Sequence, residues 1–281
     1  MSHQTKKSLG QHFLHSPGII DKILLAIAPM LGDRLVEIGP GAGAITAPLL
    51  AKHGQLTVIE FDRDLIQPLR ELGGRLGDLQ IIHADVLNVD LCVLASDQPI
   101  RLIGNLPYNI STPILFHALS HLKCIRDMHF MLQKEVVDRM AAGPGSKVYG
   151  RLSVMLQARC RVEPLFIVPP GAFQPPPKVD SAVVRLLPRA PHECVIDDSR
   201  SFSQIVRAAF AQRRKTLRNA LSDVCNEADL RAVDIDPGAR AETVAVARYI
   251  ALANRLHAEG KALSLDTLAQ DDQHERGGGT T

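Results

Sequence analysis

Residues 103–111 read Ile-Gly-Asn-Leu-Pro-Tyr-Asn-Ile-Ser. Asn105 offers a side-chain oxygen and Leu106 a main-chain carbonyl, with Pro107 and Tyr108 directly behind them. Two adjacent acceptors suit an exocyclic amine. The lone pair of adenine N6 is delocalised into the ring, which makes the nitrogen a poor nucleophile. Accepting both N6–H bonds favours a pyramidal nitrogen whose lone pair leaves the ring plane. Tyr108 supplies a face on which a base can stack, worth about 1–3 kcal/mol in single-strand recognition. An ammonium formed by alkylation at N6 is acidic, so no strong base is required. The plainer alternative is an Asn-x-Pro turn that only ends a strand.

Residues 35–43, Leu-Val-Glu-Ile-Gly-Pro-Gly-Ala-Gly, form the second constellation. A strand running into glycines and then a helix brings backbone close to a ligand and offers free N–H groups at the helix N-terminus. Gly39, Gly41 and Ala44 satisfy G-x-G-x-x-G/A. Glu60, seventeen residues past Gly43, ends the next strand, where a carboxylate would accept hydrogen bonds from ribose hydroxyls. Nicotinamide cofactors and S-adenosylmethionine both carry an adenosine ribose, so this loop leaves both open. Asp85 follows the third strand and either reaches the adenine edge of a nucleoside or caps a turn.

Two further features sit outside these loops. Phe173 lies in Pro-Pro-Gly-Ala-Phe-Gln-Pro-Pro-Pro, residues 169–177, where five of nine residues lack a backbone donor. An aromatic on so stiff a loop either closes over an extruded base or anchors the loop in the core. Arg207, Arg213, Arg214, Lys215 and Arg218 place five positive charges in twelve residues without an acid. Arginine forks suit phosphates, whereas a solvated face is the alternative. Residues 191–281 hold 12 basic and 14 acidic side chains against 20 and 16 in residues 1–190, so the cluster is segregated within a slightly acidic region. The overall charge of +2 therefore argues only against indiscriminate polyanion binding. No metal site is expected from the histidine and cysteine spacings.

Positioning these residues requires a βα alternation. Apolar runs of buried-strand type fall at residues 34–38, 55–59, 79–83, 100–104 and 128–132. Helical spacing falls at 19–31, 44–52, 64–72, 112–122 and 134–142. That order predicts an α/β fold with a parallel sheet covered on both faces. A loop at 143–150 and a helix at 152–160 follow, then strands at 162–168 and 179–187 flanking the proline-rich loop. Beyond Pro188 helical periodicity dominates: Phe202, Ile205, Val206, Ala209 and Phe210 share one face, as do Val246, Tyr249, Ile250, Ala253 and Leu256. The expected division is residues 1–190, a helical region over 191–270, and a disordered tail over 271–281. With 281 residues and 46% hydrophobic content, wholesale disorder is excluded. No apolar run approaches the ~18 residues of a membrane span, and the first residues lack a secretory apolar stretch, so a cytoplasmic protein is expected. The five cysteines, each at least thirty residues from the next, argue against C-x-x-C chemistry and a disulfide framework.

The segments KKSLGQHFL, VEIGPGAG, IGNLPYNIS, HFMLQKEVVDRM, AFQPPPKVDSAVV and FAQRRKTLRNAL together resemble the small-subunit ribosomal RNA adenine N6,N6-dimethyltransferase family, over roughly residues 7–256. The resemblance implies a Rossmann-like class I methyltransferase sheet with a smaller all-helical C-terminal domain. It implies an enzyme that uses S-adenosylmethionine to place two methyl groups on each of two adjacent adenosines near the 3′ end of small-subunit rRNA. The partner would be the small ribosomal subunit precursor, and the protein a monomer. Carried over to this chain, His12, Leu14, Gly39, Gly41, Glu60, Asp85 and Asn105 would hold the cofactor. Asn105 and the Leu106 carbonyl, stiffened by Pro107, would orient the amine, with Tyr108 and Phe173 stacking on its base. The charge cluster Arg207, Arg213, Arg214, Lys215 and Arg218, read from its segregation and not from the resemblance, is the expected RNA contact. His12 stands where many members have Asn. A large-subunit rRNA methyltransferase and a non-catalytic assembly factor are the alternatives. A nicotinamide oxidoreductase would leave the Asn-Leu-Pro-Tyr element and the basic cluster unexplained.

Overall fold

The structure, a computed structural model, describes residues 12–96, 98–212 and 214–261. The chain divides into two compact units, Met1–Ala141 with Arg159–Ala190 and Ala142–Ala158 with Pro191–Thr281.

The first unit runs β1 (Phe13–Leu14), α1 (Pro17–Ile27), β2 (Arg34–Ile38), α2 (Thr46–His53), β3 (Gln55–Glu60), α3 (Arg63–Leu76), β4 (Asp78–His83), β5 (Ile100–Asn105), α4 (Ser111–Ser120), β6 (Ile125–Gln133) and α5 (Lys134–Ala141). After an excursion into the second unit through α6 (Arg151–Gln157), it resumes with β7 (Cys160–Val168), β8 (Phe173–Gln174) and β9 (Ser181–Pro188). Seven strands form one sheet in the order β4-β3-β2-β5-β6-β9-β7. Strands β2 to β6 are mutually parallel, as the alternation predicts. The sheet is not parallel throughout, however: β9 runs antiparallel to both β6 and β7. Run lengths carry no direction, so this reversal was not readable from them. Leu35, Val36 and Ile38 of β2 and Leu102 and Ile103 of β5 are buried because helices cover both faces, and such strands read as continuous apolar runs. The chain passes from β2 outward to β3 and β4, then crosses back to β5 on the other side of β2. The carboxyl ends of β2 and β5 thus flank the point where strand order reverses, the place where open α/β sheets bind ligands.

Separately, β1 and β8 form a two-stranded antiparallel ribbon, pairing Phe13 with Gln174 and Leu14 with Phe173. The proline-rich loop is therefore neither a central strand nor a helix, but part of it straps down residues 13 and 14.

The second unit is helical among the described residues: α6, α7 (Ser199–Phe210), α8 (Leu217–Ala220), α9 (Glu227–Ala232) and α10 (Val246–Ala258). Phe202, Ile205, Val206 and Ala209 of α7 are buried, as are Tyr249, Leu252, Ala253 and Leu256 of α10. Phe210 lies between the rings of Tyr149 and Tyr249, with centroids 6.1 and 5.8 Å away. Residues 142–158 correct the expected 1–190 division, because α6 packs on α7 and the first unit is interrupted there. The expected tail lies outside the described residues.

Two further expectations change. Cys92 and Cys124 are joined by a disulfide, their Cα atoms 5.2 Å apart. The 3₁₀ turns Leu91–Leu94 and Leu122–Cys124 bring them together, a meeting that sequence spacing does not display. His117 on α4 and His121, which caps its C-terminal end, do stand at H-x-x-x-H spacing, a pair the expectation of no metal site passed over. His117 Nε2 bonds the Val89 carbonyl and His121 Nε2 lies 3.4 Å from Asp90. Among the described residues no group of three or more His, Cys, Asp or Glu is arranged for a metal, and no helix is long and apolar enough to cross a membrane.

Candidate active site

At the carboxyl ends of β2, β3 and β5 a cleft opens in the first unit. Its lining includes His12, Phe13, Leu14, Glu37, Gly39, Gly41, Glu60, Phe61, Asp62, Asp85, Val86 and Asn105–Ile110. The cofactor residues expected from sequence, His12, Leu14, Gly39, Gly41, Glu60, Asp85 and Asn105, all fall here, together with Leu106, Pro107 and Tyr108.

The glycine loop follows β2 directly. Gly39 and Gly41 have φ of +65° and +57°, a region costly for side chains with a Cβ. A Cβ on Gly41 would sit 3.1 Å from the Phe13 ring, so the loop also needs glycine for the β1 segment to lie across it. Glu60, at the end of β3, is 6% exposed. Its carboxylate accepts the N–H groups of Gly41 (3.1 Å) and Asp62 (2.8 Å), which ties the loop to the neighbouring strand. Burial nonetheless pushes its pKa up, partly offset by these donors. Asp85 lines the cleft and also accepts the Leu87 N–H at 3.0 Å, so it caps a turn and faces the site at once.

Sequence reasoning passed over Glu37. It is 2% exposed, accepts the Thr46 hydroxyl at 2.6 Å, and its pKa is pushed up to about 7 by burial, Thr46 opposing the shift and the Glu60 charge adding to it. The signal was present: in a strand buried on both faces, a lone Glu is the residue that does not belong. Phe61, 63% exposed on the cleft wall directly after Glu60, was also missed. Single aromatics at strand ends carry no periodicity.

Four carboxyl side chains, Glu37, Glu60, Asp62 and Asp85, line this cleft, and no Lys or Arg among the described residues does. Such a field disfavours the dianionic pyrophosphate of a nicotinamide dinucleotide and favours a cationic ligand. The sulfonium and ammonium groups of S-adenosylmethionine fit this donor set, its ribose fits Glu60, and its adenine fits the apolar faces of Phe61 and Val86.

Asn105 ends β5. Its Nδ2 donates to the His12 carbonyl at 3.2 Å. A carbonyl can only accept, so this bond commits the amide's nitrogen end to the protein and leaves the oxygen end to accept. Leu106 extends the strand pairing, donating its N–H to Met131 at 3.1 Å, which fixes the next peptide. Tyr108 is half-buried. Its hydroxyl lies 2.7 Å from Ser181 Oγ, and burial pushes its pKa up, so it stays neutral. The His12 imidazole stacks on the Tyr108 ring, centroids 5.6 Å apart and planes 28° apart, while His12 Nδ1 bonds the Pro175 carbonyl at 2.8 Å. His12 therefore contributes through both backbone and side chain.

Phe173 departs from expectation. It is 1% exposed, packed in the core with Leu14, Ile23 and Val168, and is not among the residues lining the cleft. In this structure its ring has no open face for a base. The pairing of β8 with β1 turns it inward, so it anchors the strap instead.

The basic cluster spans two helices and the turn after the first. It is not one helix: Arg207 lies near the end of α7, Arg214 and Lys215 in the turn that follows, and Arg218 on α8. Arg214 and Lys215 are exposed. Arg218 pairs with Glu227 at 3.0 Å. Arg213 lies outside the described residues.

Comparison with known proteins adds the following. The profile of the ribosomal RNA adenine dimethylase family matches residues 2–258. The chain is 67% identical over 253 residues to a ribosomal RNA small subunit methyltransferase A of Xanthomonas axonopodis pv. citri (strain 306), covering 90% of this chain and 97% of that protein. A protein of the same name from Xanthomonas campestris pv. campestris (strain B100) is 66% identical over the same shares. Among solved structures, a dimethyladenosine transferase from Plasmodium falciparum aligns with a TM-score of 0.76 at 25% identity, over 89% of this chain and 98% of that one. The 23S rRNA methyltransferase ErmE aligns with a TM-score of 0.66 at 26% identity, over 87% and 99%.

Proposed function

The chain belongs to the ribosomal RNA adenine dimethylase family, and from that premise we propose that it uses S-adenosylmethionine to dimethylate N6 of two adjacent adenosines near the 3′ end of small-subunit rRNA. It is an rRNA adenine dimethyltransferase of the small subunit. A 23S rRNA methyltransferase shares its fold, so the choice of subunit rests on relatives at 66–67% identity. The immature small subunit is the proposed partner, and a monomer the proposed form.

The observation that carries the chemistry is the oriented amide of Asn105 at the mouth of an acidic cleft. When bound, the cofactor supplies an electrophilic methyl on a sulfonium. Glu60 would accept the ribose hydroxyls, Phe61 and Val86 would flank the adenine, and Asp85 would add negative charge near the cation. A bound cation would favour the ionised form of Glu37, whose pKa burial raises to about 7. Asn105 Oδ1 and the Leu106 carbonyl accept the two N6–H bonds of the target adenosine, and Tyr108 stacks on its ring. After the first transfer N6 keeps one hydrogen and can fill only one of these acceptors. Stacking on Tyr108 then carries more of the positioning.

The direct test is incubation with methyl-labelled S-adenosylmethionine and, in parallel, undermethylated small and large subunits, followed by mapping of the modified nucleotides. N6,N6-dimethyladenosine at two adjacent positions is expected. Label confined to large-subunit RNA, or no transfer despite RNA binding, would reject this function in favour of a large-subunit enzyme or an assembly factor.

For RNA, Arg214, Lys215 and Arg218 are exposed, and Arg218 is engaged with Glu227. Replacing Arg213, Arg214 and Lys215 with Ala should weaken binding to the small subunit and lower the slope of log K against log salt. The expected loss is about 0.7–0.9 unit per lost phosphate contact. An unchanged slope in a filter-binding titration would make the cluster a solvated surface.

A further inference from the structure

Ser181 opens β9, is 0% exposed, and pairs across to Gln133 at the end of β6. A hydroxyl so deeply buried needs a partner. It has one in the Tyr108 phenol at 2.7 Å. Tyr108 is thus fixed at two points. Ser181 holds the hydroxyl, and the His12 imidazole covers one ring face, itself pinned to the Pro175 carbonyl. A base can therefore stack at most on the other face. Each fixing group comes from a different part of the first unit: β9, the segment before β1, and the proline-rich loop.

We infer that Ser181 is a positioning residue for the target base, acting through Tyr108, and that its effect falls mainly on the second methyl transfer. The inference rests on the proposed adenosine N6 chemistry and adds to it what decides completion. In the first transfer two N6–H bonds to Asn105 and Leu106 hold the amine, so a loosened ring is tolerated. In the second transfer one hydrogen remains, and ring position is set largely by stacking. Freeing the phenol lets Tyr108 tilt and costs most at that stage.

The test follows mono- and dimethyladenosine over time on undermethylated small subunits, for wild type, Ser181→Ala, Tyr108→Phe and the double variant. Melting temperature and cofactor affinity are measured alongside. One net hydrogen bond corresponds to roughly a twofold to tenfold effect. The second transfer should slow about tenfold and the first at most about threefold, so monomethyladenosine accumulates. The double variant should match either single variant, because both remove the same bond. Additive losses, or an unchanged ratio of mono- to dimethyl product in Ser181→Ala, overturn the role. If Ser181→Ala does not fold, Tyr108→Phe decides by itself, and a wild-type product ratio there overturns it too. Wild-type protein that transfers no methyl to adenosine rejects the underlying function. Wild-type dimethylation with unaltered ratios in the variants rejects only the role of Ser181.

Discussion

Replacing Asn105 with Ala should lower methyl transfer by about 10²–10³-fold while cofactor still binds. The magnitude is that of removing one preorganised polar group at a reacting centre, about 3–4 kcal/mol. Two losses combine. Oδ1 no longer accepts the target amine, so the N6 lone pair stays in conjugation with the ring. The amide no longer holds the His12 carbonyl, a bond of 3.2 Å that ties the β1 segment to the end of β5. Cofactor affinity should fall far less, because Glu37, Glu60 and Asp85 stand on other strands or the loops after them and remain in place. Label transfer on small subunits measures the first effect and calorimetric titration with cofactor the second. Near-normal turnover would remove this mechanism. Equal losses of turnover and affinity would make Asn105 a cofactor ligand only.

The largest effect on stability is expected at Arg101. This side chain on β5 is 4% exposed, yet it meets Asp127 on β6 at 3.0 and 3.2 Å, Asp33 at 2.6 Å and the Ile27 carbonyl at the end of α1 at 2.6 Å. One guanidinium therefore joins two strands, a helix end and a loop. Arg101→Ala leaves two buried carboxylates without it, and removing one partner of a buried pair costs about 3–5 kcal/mol. Burial works against the charged Asp127, but His129 and Arg101 more than offset it and hold its pKa at about 2. Asp33 is likewise lowered, its own burial outweighed by the Met30 N–H and by Arg101 and Arg126. Folded pKa values below the unfolded ones mean that unfolded chains bind more protons in this range. The stability these groups contribute is complete above about pH 4 and is lost as pH falls toward about 2. The gap between wild type and Arg101→Ala in urea unfolding should therefore be widest above pH 4 and narrow below it. A constant gap down to pH 2.5 would mean that packing, and not charge, is what Arg101 supplies. Replacing Arg101 and Asp127 together by apolar residues should recover part of the loss.

How much of this was legible depends on where the determining contacts lie. Residues 34–38 read as a strand and form β2 without adjustment, because burial on both faces writes a continuous apolar run. The start of β6 was read at residue 128 but lies at Ile125, since Arg126 and Asp127 break the run. Asp127 is buried only because Arg101 on the adjacent strand pays for it, a pairing that no window of sequence contains. The glycine loop and Asn-Leu-Pro-Tyr element were readable as chemistry because their residue types are rare together and adjacent in sequence. Phe173 was not, since its burial follows from β8 pairing with a segment some 160 residues earlier. Arg207 to Arg218 were legible as charge but not as backbone: the helical pattern of α7 stops at Phe210, and charge spacing says nothing about the turn beyond.

The strap formed by β1 and β8 has a consequence for the order of events during synthesis. His12 bonds to Pro175, 163 residues further along. At translation speeds of about 5–20 residues per second, its partner follows roughly 8–33 s later. Until then the glycine loop and Asn105 have already been made, but nothing pins the carbonyl that orients the Asn105 amide. A nascent chain ending before Ala172 thus carries every residue named for the reaction except Phe173, Ser181 and the basic cluster, without the geometry that aligns them. Catalytic competence should arrive late and abruptly, with the return of the chain from α6 to complete the sheet.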